Sequence, residues 1–291
     1  MKKNYLLASF CALLIFTTAN AQTIDIADDD TANYANPLND PSATDCFPFI
    51  TADGLNIYFA SGRNGGHASI FYSKRKNTES YFEAPVLLGD QFDKEFDSPS
   101  LTADGLTIYV MNRTNDKLLK ATRKNKAAGF GALTEVKIAK KDKFYAPCIS
   151  STGKQLVITD DDSEVLEFYE LSAKKIFELK YIYTGMKDED IIKIGRFADD
   201  GLSLYATKTS EGENSTEEKI VVLKRKTLTD KFTAYKELLD ENGKVIINTH
   251  AAVCKKGSLL ACTNNIGDSW NDNNIKLITL KKVKPPDLSA N

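Results

Sequence analysis

From residue 44 onward the apolar positions fall in short runs. A brief apolar stretch leads into a polar turn, and a period-two stretch leaves it, as in Asn56, Ile57, Tyr58 and Phe59. No part of this region holds paired long segments with the 3.6-residue period of amphipathic helices, which excludes a helical solenoid. The pattern predicts an all-β chain of hairpins.

The hairpins repeat. "TADGLNIYF" (51–59) and "TADGLTIYV" (102–110) agree at seven of nine positions. Aligned on the turn glycine, five copies emerge: "PFITADGLNIYFASGR" at Gly54, "PSLTADGLTIYVMNR" at Gly105, "PCISSTGKQLVITDD" at Gly153, "GRFADDGLSLYATK" at Gly201 and "AAVCKKGSLLACTN" at Gly257. The intervals are 51, 48, 48 and 56 residues. An aspartate can accept backbone N–H groups and a glycine tolerates positive φ, so Asp-Gly is the chemistry of a tight turn.

Two further strands follow each hairpin at steady offsets. Candidates for the third are 68–75, 117–124, 164–171, 219–226 and 275–282, which turn basic at their ends. Candidates for the fourth are 84–89, 133–138, 176–181 and 234–239. Four strands repeated at about 50 residues is the pattern of propeller blades. The fifth unit lacks a fourth strand after Lys282, while "YANPLND" (34–40) resembles "YFEAPVLLGD" (81–90). The N-terminal segment is therefore expected to close the last blade of a five-bladed β-propeller and to cover an open sheet edge. A sixth blade would need an unrecognised sixth unit.

"PFITADGLNIYFASGRNGGHASIFYSKR" is similar to the WD-like β-propeller repeat of the TolB type: Pro, apolar, Ser/Thr, x, Asp, Gly, an apolar strand, a Ser-x-Arg loop and a further strand. The likeness is specific in the first two units and weakens in the third, where Thr152 stands for Asp. It implies an exported binding scaffold, often part of envelope complexes. Sialidase propellers instead separate Asp from Gly in their Asp-box, whereas Asp53-Gly54 and Asp104-Gly105 are adjacent.

The first residues depart from the pattern. Lys2 and Lys3 precede a short apolar run at 5–16 and a small-residue site at 19–21, which predicts a signal peptide over 1–21 and a mature chain from Gln22. The run is too short for a stable membrane span. Phe10 before Cys11 argues against lipidation. The expected division is signal peptide 1–21, propeller 22–284 and tail 285–291, in a periplasmic or extracellular protein. Net charge −2 becomes −4 after loss of the two lysines, which gives no reason to expect a nucleic-acid partner. Cys46, Cys148, Cys254 and Cys262 permit two disulfides in an exported chain, but their irregular spacing specifies no pairing and contains no CxxC zinc pair.

Propellers bind at the mouth of the central channel. Loops entering the first strands and leaving the second strands share that face, opposite the Asp-Gly turns. They carry Asp45, Asp97, Arg63, Arg113, Asn64 and His67, the candidate ligand-binding residues, with Asp188, Glu189 and Asp190 entering the fourth unit. Arginine offers a planar fork to carboxylates. The competing reading is structural: each arginine pins a neighbouring loop through an aspartate, and the matched positions of Arg63 and Arg113 favour it. A glycosidase would need two or three carboxylates about the channel, and Asp45, Asp97 and Glu189 are the candidate trio. "NPLNDP" (36–41) is similar to the opening of such enzymes, but Asp40 lies eight residues before Pro48. "TDDDSE" (159–164) lacks EF-hand spacing and reads as a solvated loop rather than a calcium site. No phosphate loop, nucleophile triad or helical zinc motif is present, so neither cofactor nor metal is expected. The expectation is a non-enzymatic envelope module that recognises a protein or glycan. A glycosidase and a purely structural partner of outer-membrane machinery are the alternatives.

Overall fold

In the computed structural model the described residues are 37–280, except 79, 139–142, 173–174, 185–189, 212–215, 240–244, 247–248, 255–258 and 266–272. The expected signal peptide, the tail and the fifth turn glycine lie outside them.

The chain is all-β and forms five antiparallel sheets, one per sequence repeat. Blade 1 is β1 (Asp45–Ile50), β2 (Asn56–Ser61), β3 (Ser69–Lys74) and β4 (Val86–Leu87). Blade 2 is β5 (Phe96–Leu101), β6 (Thr107–Asn112), β7 (Lys117–Thr122) and β8 (Thr134–Glu135). Blade 3 is β9 (Phe144–Ile149), β10 (Gln155–Asp160), β11 (Leu166–Ser172) and β12 (Lys175–Tyr183). Blade 4 is β13 (Asp190–Phe197), β14 (Ser203–Glu211), β15 (Thr216–Lys224) and β16 (Ala234–Glu237). Blade 5 has, among the described residues, three strands, β17 (Thr249–Val253), β18 (Leu259–Asn265) and β19 (Asn273–Thr279). The first strands touch in turn around a closed ring, β17 meeting β1. The first four blades are therefore the predicted four-stranded meanders, and the described residues form five sheets.

Both faces of each blade are buried, because each lies between two neighbours. The core is accordingly five seams rather than one centre. In β6, Ile108 and Val110 enter the seam with blade 1, whereas Tyr109 and Met111 enter the seam with blade 3. This period-two division explains why the second strands read as unbroken apolar runs.

Each inner strand carries one non-glycine residue at positive φ: Phe47 (52°), Ser98 (48°), Ala146 (49°), Ile194 (57°) and His250 (53°). The strand pairing shifts register at these positions in every blade. The residue after each is Pro48, Pro99, Pro147, Gly195 or Ala251. Proline suits a bulge, where the ladder is already broken and an N–H is not needed.

The Asp-Gly turns behave as their composition requires. Gly54, Gly105, Gly153 and Gly201 all have φ between 63° and 72°. Asp53 accepts from Leu55 N and Thr51 Oγ1, and Asp104 repeats the arrangement with Leu106 and Thr102. An arginine from the end of the third strand then locks the turn. Nε of Arg75, Arg123 and Arg225 donates to the carbonyl of Gly54, Gly105 and Gly201, each at 2.7 Å. Each guanidinium lies 4.5–4.7 Å from the ring centre of Phe82, Phe130 or Phe232.

The ring is closed by the segment expected to close it, though among the described residues not by a strand. Asn39 Nδ2 donates to Ile275 O at 3.0 Å, and Ile275 N donates back to Asn39 Oδ1 at 2.9 Å. One side-chain amide thus replaces a pair of ladder bonds on β19. Leu38 is fully buried in the seam between blades 1 and 5. We expect Leu38→Ala to lower unfolding free energy by about 2–5 kcal/mol and Asn39→Ala by about 1–3 kcal/mol, read by urea denaturation. Wild-type midpoints in both variants would show that this segment does not hold the ring shut.

The four cysteines among the described residues, Cys46, Cys148, Cys254 and Cys262, are free, buried and dispersed among four seams. Burial pushes the Cys262 thiol up to about 12 and raises Cys46 further still. A thiol reagent should therefore label none of them in the folded protein and all four after denaturation. Rapid labelling of any one under native conditions would contradict this packing.

Candidate functional site

The six candidate residues fall into two groups. The first group is a clamp on the ring closure. Asp45 is fully buried at the start of β1. Its Oδ1 accepts from Arg63 Nη2 and its Oδ2 from Asp40 N, both at 2.7 Å. Arg63 Nη2 also donates to Leu38 O, and its Nε donates to Ser61 Oγ at 2.8 Å. The guanidinium lies over the Phe59 and Phe71 rings. Burial raises the Asp45 carboxyl above its ordinary range, and Arg63 opposes that rise. Asp40 is instead held lower by hydrogen bonds from the Ser42 side chain and backbone.

The second group forms a ridge on the mouth face between blades 1 and 2. Arg113 Nη1 donates to Asp97 Oδ2 at 3.0 Å. The arginine side chain is 50% exposed while that of Asp97 is 5% exposed. His67 Nδ1 lies 2.7 Å from Glu95 Oε1, and Asn64 Nδ2 donates to Asp93 Oδ1 at 2.8 Å. Asp93 also accepts from Ser69 Oγ, the main reason its carboxyl is held low. Backbone bonds Phe96 N to Ala68 O and Arg113 N to Glu95 O fix these loops to one another. Lys94 and Glu95 are consecutive residues at positive φ, 67° and 64°. Such strain persists only where surrounding bonds enforce it, and it gathers at functional loops.

Asp93 and Glu95 complete the ridge and were missed in the sequence because acidic loop residues are common. Asp188 and Glu189 lie outside the described residues. Asp160 caps its own loop, accepting from Ser163 N and Oγ at 2.7 and 2.6 Å. Among the described residues no group of three or more His, Cys, Asp or Glu is arranged to hold a metal ion.

On the inner strand of blade 5, β17, lies His250. It is buried, with its ring edge-on to Phe47 at 3.9 Å between centroids. Burial above all, then Arg196 and Lys193, holds its pKa well below 6.5. The unfolded chain takes up this proton near pH 6.5 and the folded chain does not. Its contribution to stability is thus present above that pH and is lost as pH falls below it, by up to about 1.4 kcal/mol per unit. Asp45 and Asp97 act in the opposite sense above 3.8, their carboxyls being raised, but equally in any His250 variant. Stability measured by urea should fall from about pH 7 to about pH 5, and less steeply in His250→Phe. Identical slopes would mean that the folded protein protonates this imidazole.

The class that emerges is a five-bladed β-propeller. No known family matches the sequence, and no curated protein is similar to it. Similar solved structures include an α-L-arabinofuranosidase from Podospora anserina in complex with cellotriose, at 8% identity and a TM-score of 0.55, covering 81% of this chain and 90% of that one. The catalytic domain of a Coprinopsis cinerea GH62 α-L-arabinofuranosidase follows at 10% identity and 0.54, with coverage of 81% and 90%. TolB from Acinetobacter baumannii is similar at 12% identity and 0.46, covering 81% of this chain. This chain spans only 55% of that TolB. At such identities the likeness is one of fold.

Proposed function

We propose that this chain is an exported binding or scaffold propeller of a bacterial cell envelope, engaging a protein or glycan at the mouth between blades 1 and 2. The observation that carries the reading is the ridge of Arg113, Glu95, His67 and Asn64. It presents oriented, exposed polar groups on loops pinned by a buried aspartate and by two strained residues. Pre-organised polar groups of this kind lower the ordering cost of recognition. Asp45 and Arg63 support the floor of the site by closing the ring, and Asp97 orients Arg113 from below. Export rests on the leader read at 1–21.

The glycosidase reading draws on the fold likeness and on the raised carboxyl of Asp97. It is weakened at Asp45, where both oxygens are occupied by Arg63 and the Asp40 backbone. A purely structural role would favour one broad apolar patch. The large exposed apolar side chains Tyr81, Val86, Ile182 and Leu228 instead stand on three different blades.

The test is affinity capture from native envelope extract with the wild-type chain and with an Arg113→Ala, Glu95→Ala double variant. A partner held at this mouth should bind the double variant about 10-fold or more weakly. Equal capture by both would remove the mouth from consideration. Release of sugar from arabinose-containing glycans by the purified protein would replace binding with hydrolysis.

A further inference from the structure

The third strands of blades 1, 2 and 4 end in basic runs, "SKRK" (73–76), "TRKNK" (122–126) and "KRK" (224–226). One arginine of each run is engaged by its turn, since Arg75, Arg123 and Arg225 hold the carbonyls of Gly54, Gly105 and Gly201. Those bonds fix where the rest of each run stands. Lys76, Lys124, Lys126 and Lys226 are exposed beside the turns, at the end of the ring opposite the mouth. Lys154 follows the turn glycine of blade 3, and Lys231 lies in the loop after Arg225; both are exposed. Among the described residues none of these six lysines forms an ion pair.

The aspartates of this end are engaged locally. Asp53, Asp104 and Asp200 each accept from the backbone N–H two residues on, and Asp230 accepts from Thr227 N. Among the described residues, basic side chains outnumber acidic ones here. The mouth end has the opposite sign. Asp93 and Glu95 stand on the ridge, and the loop that follows β10 carries Asp161, Asp162 and Glu164. A chain of net charge −2 thus gathers positive charge at one end. Such a separation orients a protein over an anionic surface.

Charge alone would suit any polyanion, but two apolar side chains at the same end narrow the choice. Tyr81 is 69% exposed, in the loop that Arg75 ties down through Thr78 O at 2.9 Å. Leu228 is 46% exposed and lies against the Gly201 turn in the corresponding loop of blade 4. The cores of both loops are filled by Phe82 and Phe232 beneath the turn-locking arginines, so Tyr81 and Leu228 are spare. A soluble polyanion has no apolar layer to receive a leucine. Lysines at headgroup level with a tyrosine and a leucine among them is the composition of a membrane-surface contact.

We propose that the turn face is a peripheral docking surface for an anionic lipid bilayer, its lysines meeting headgroup phosphates while Tyr81 and Leu228 enter the interface. The mouth then points away from the bilayer. The proposal uses no residue of the mouth and stands whether or not a partner binds there.

The test is co-sedimentation of the processed protein, its leader removed, with vesicles of phosphatidylcholine alone or with about 30% phosphatidylglycerol. Binding should require phosphatidylglycerol and weaken as salt rises. Lys124→Ala with Lys126→Ala should weaken it about 10-fold or more. Tyr81→Ser should weaken it about threefold or more. Lys117→Ala with Lys143→Ala removes the same charge from the mouth end and should leave binding at the wild-type level. The proposal is overturned if the wild type ignores phosphatidylglycerol vesicles, or if the mouth-end pair weakens binding as much as the turn-face pair. It also fails if Tyr81→Ser binds as the wild type does and soluble heparin is held equally well, which would make the face a polyanion surface instead.

Discussion

One left-handed residue in each inner strand is the constraint on which the remainder of this propeller depends. Phe47, Ser98, Ala146, Ile194 and His250 each hold a positive φ that an L-residue adopts at a cost of about 1 kcal/mol or more. Five such costs are comparable with the whole net stability of a domain, so the ring must enforce them. The enforcing contacts lie at the seams. The Phe47 and Ile194 N–H groups donate to Thr263 and Thr159 of the preceding blade. Ile149 N likewise donates to Ser100 Oγ. A bulge that interrupts one sheet thus supplies a donor to the blade before it, and local strain becomes a joint between blades.

The opposite end of each blade uses another device. The third-strand arginine holds the turn carbonyl and covers a phenylalanine from the approach to the fourth strand. Turn, third strand and outer edge become one unit, which lets β4 and β8 be only two residues long. Blade 3 has Leu171 where blades 1, 2 and 4 have arginine, its N–H bonding to Lys154 O as Arg75 N bonds to Leu55 O. The repeat fixes the backbone bond at this corner, and the side-chain lock is added in the blades that carry arginine.

Blade number, hairpins and the closing segment were legible in the sequence because turn glycines and apolar runs recur at nearly constant intervals. The left-handed residues were not, since Phe, Ser, Ala, Ile and His share no propensity; the trace they leave is the Pro, Gly or Ala that follows. Asp45 and Asp97 looked equivalent because each precedes a proline. They stand two residues and one residue before their left-handed positions, and they pair with Ser61 and Met111. A shift of one position reverses the face of a strand. Asp45 is thereby turned to the ring closure and Asp97 to the mouth and axis. Arg196 was hidden for a related reason. It occupies the place held by Phe49, Ser100, Cys148 and Ala252, and nothing local marks one polar member of that set as buried.

Arg196 and His250 also couple the charge of the inner strands to the stability of the ring. Burial is the main force keeping the imidazole neutral, and the Arg196 charge adds to it. With the burial kept and that charge removed, the imidazole would accept a proton at a higher pH. The gap between its folded and unfolded affinity for a proton would narrow, and the ring would lose less stability in acid. A cation that never titrates thus helps set the acid sensitivity of the fold.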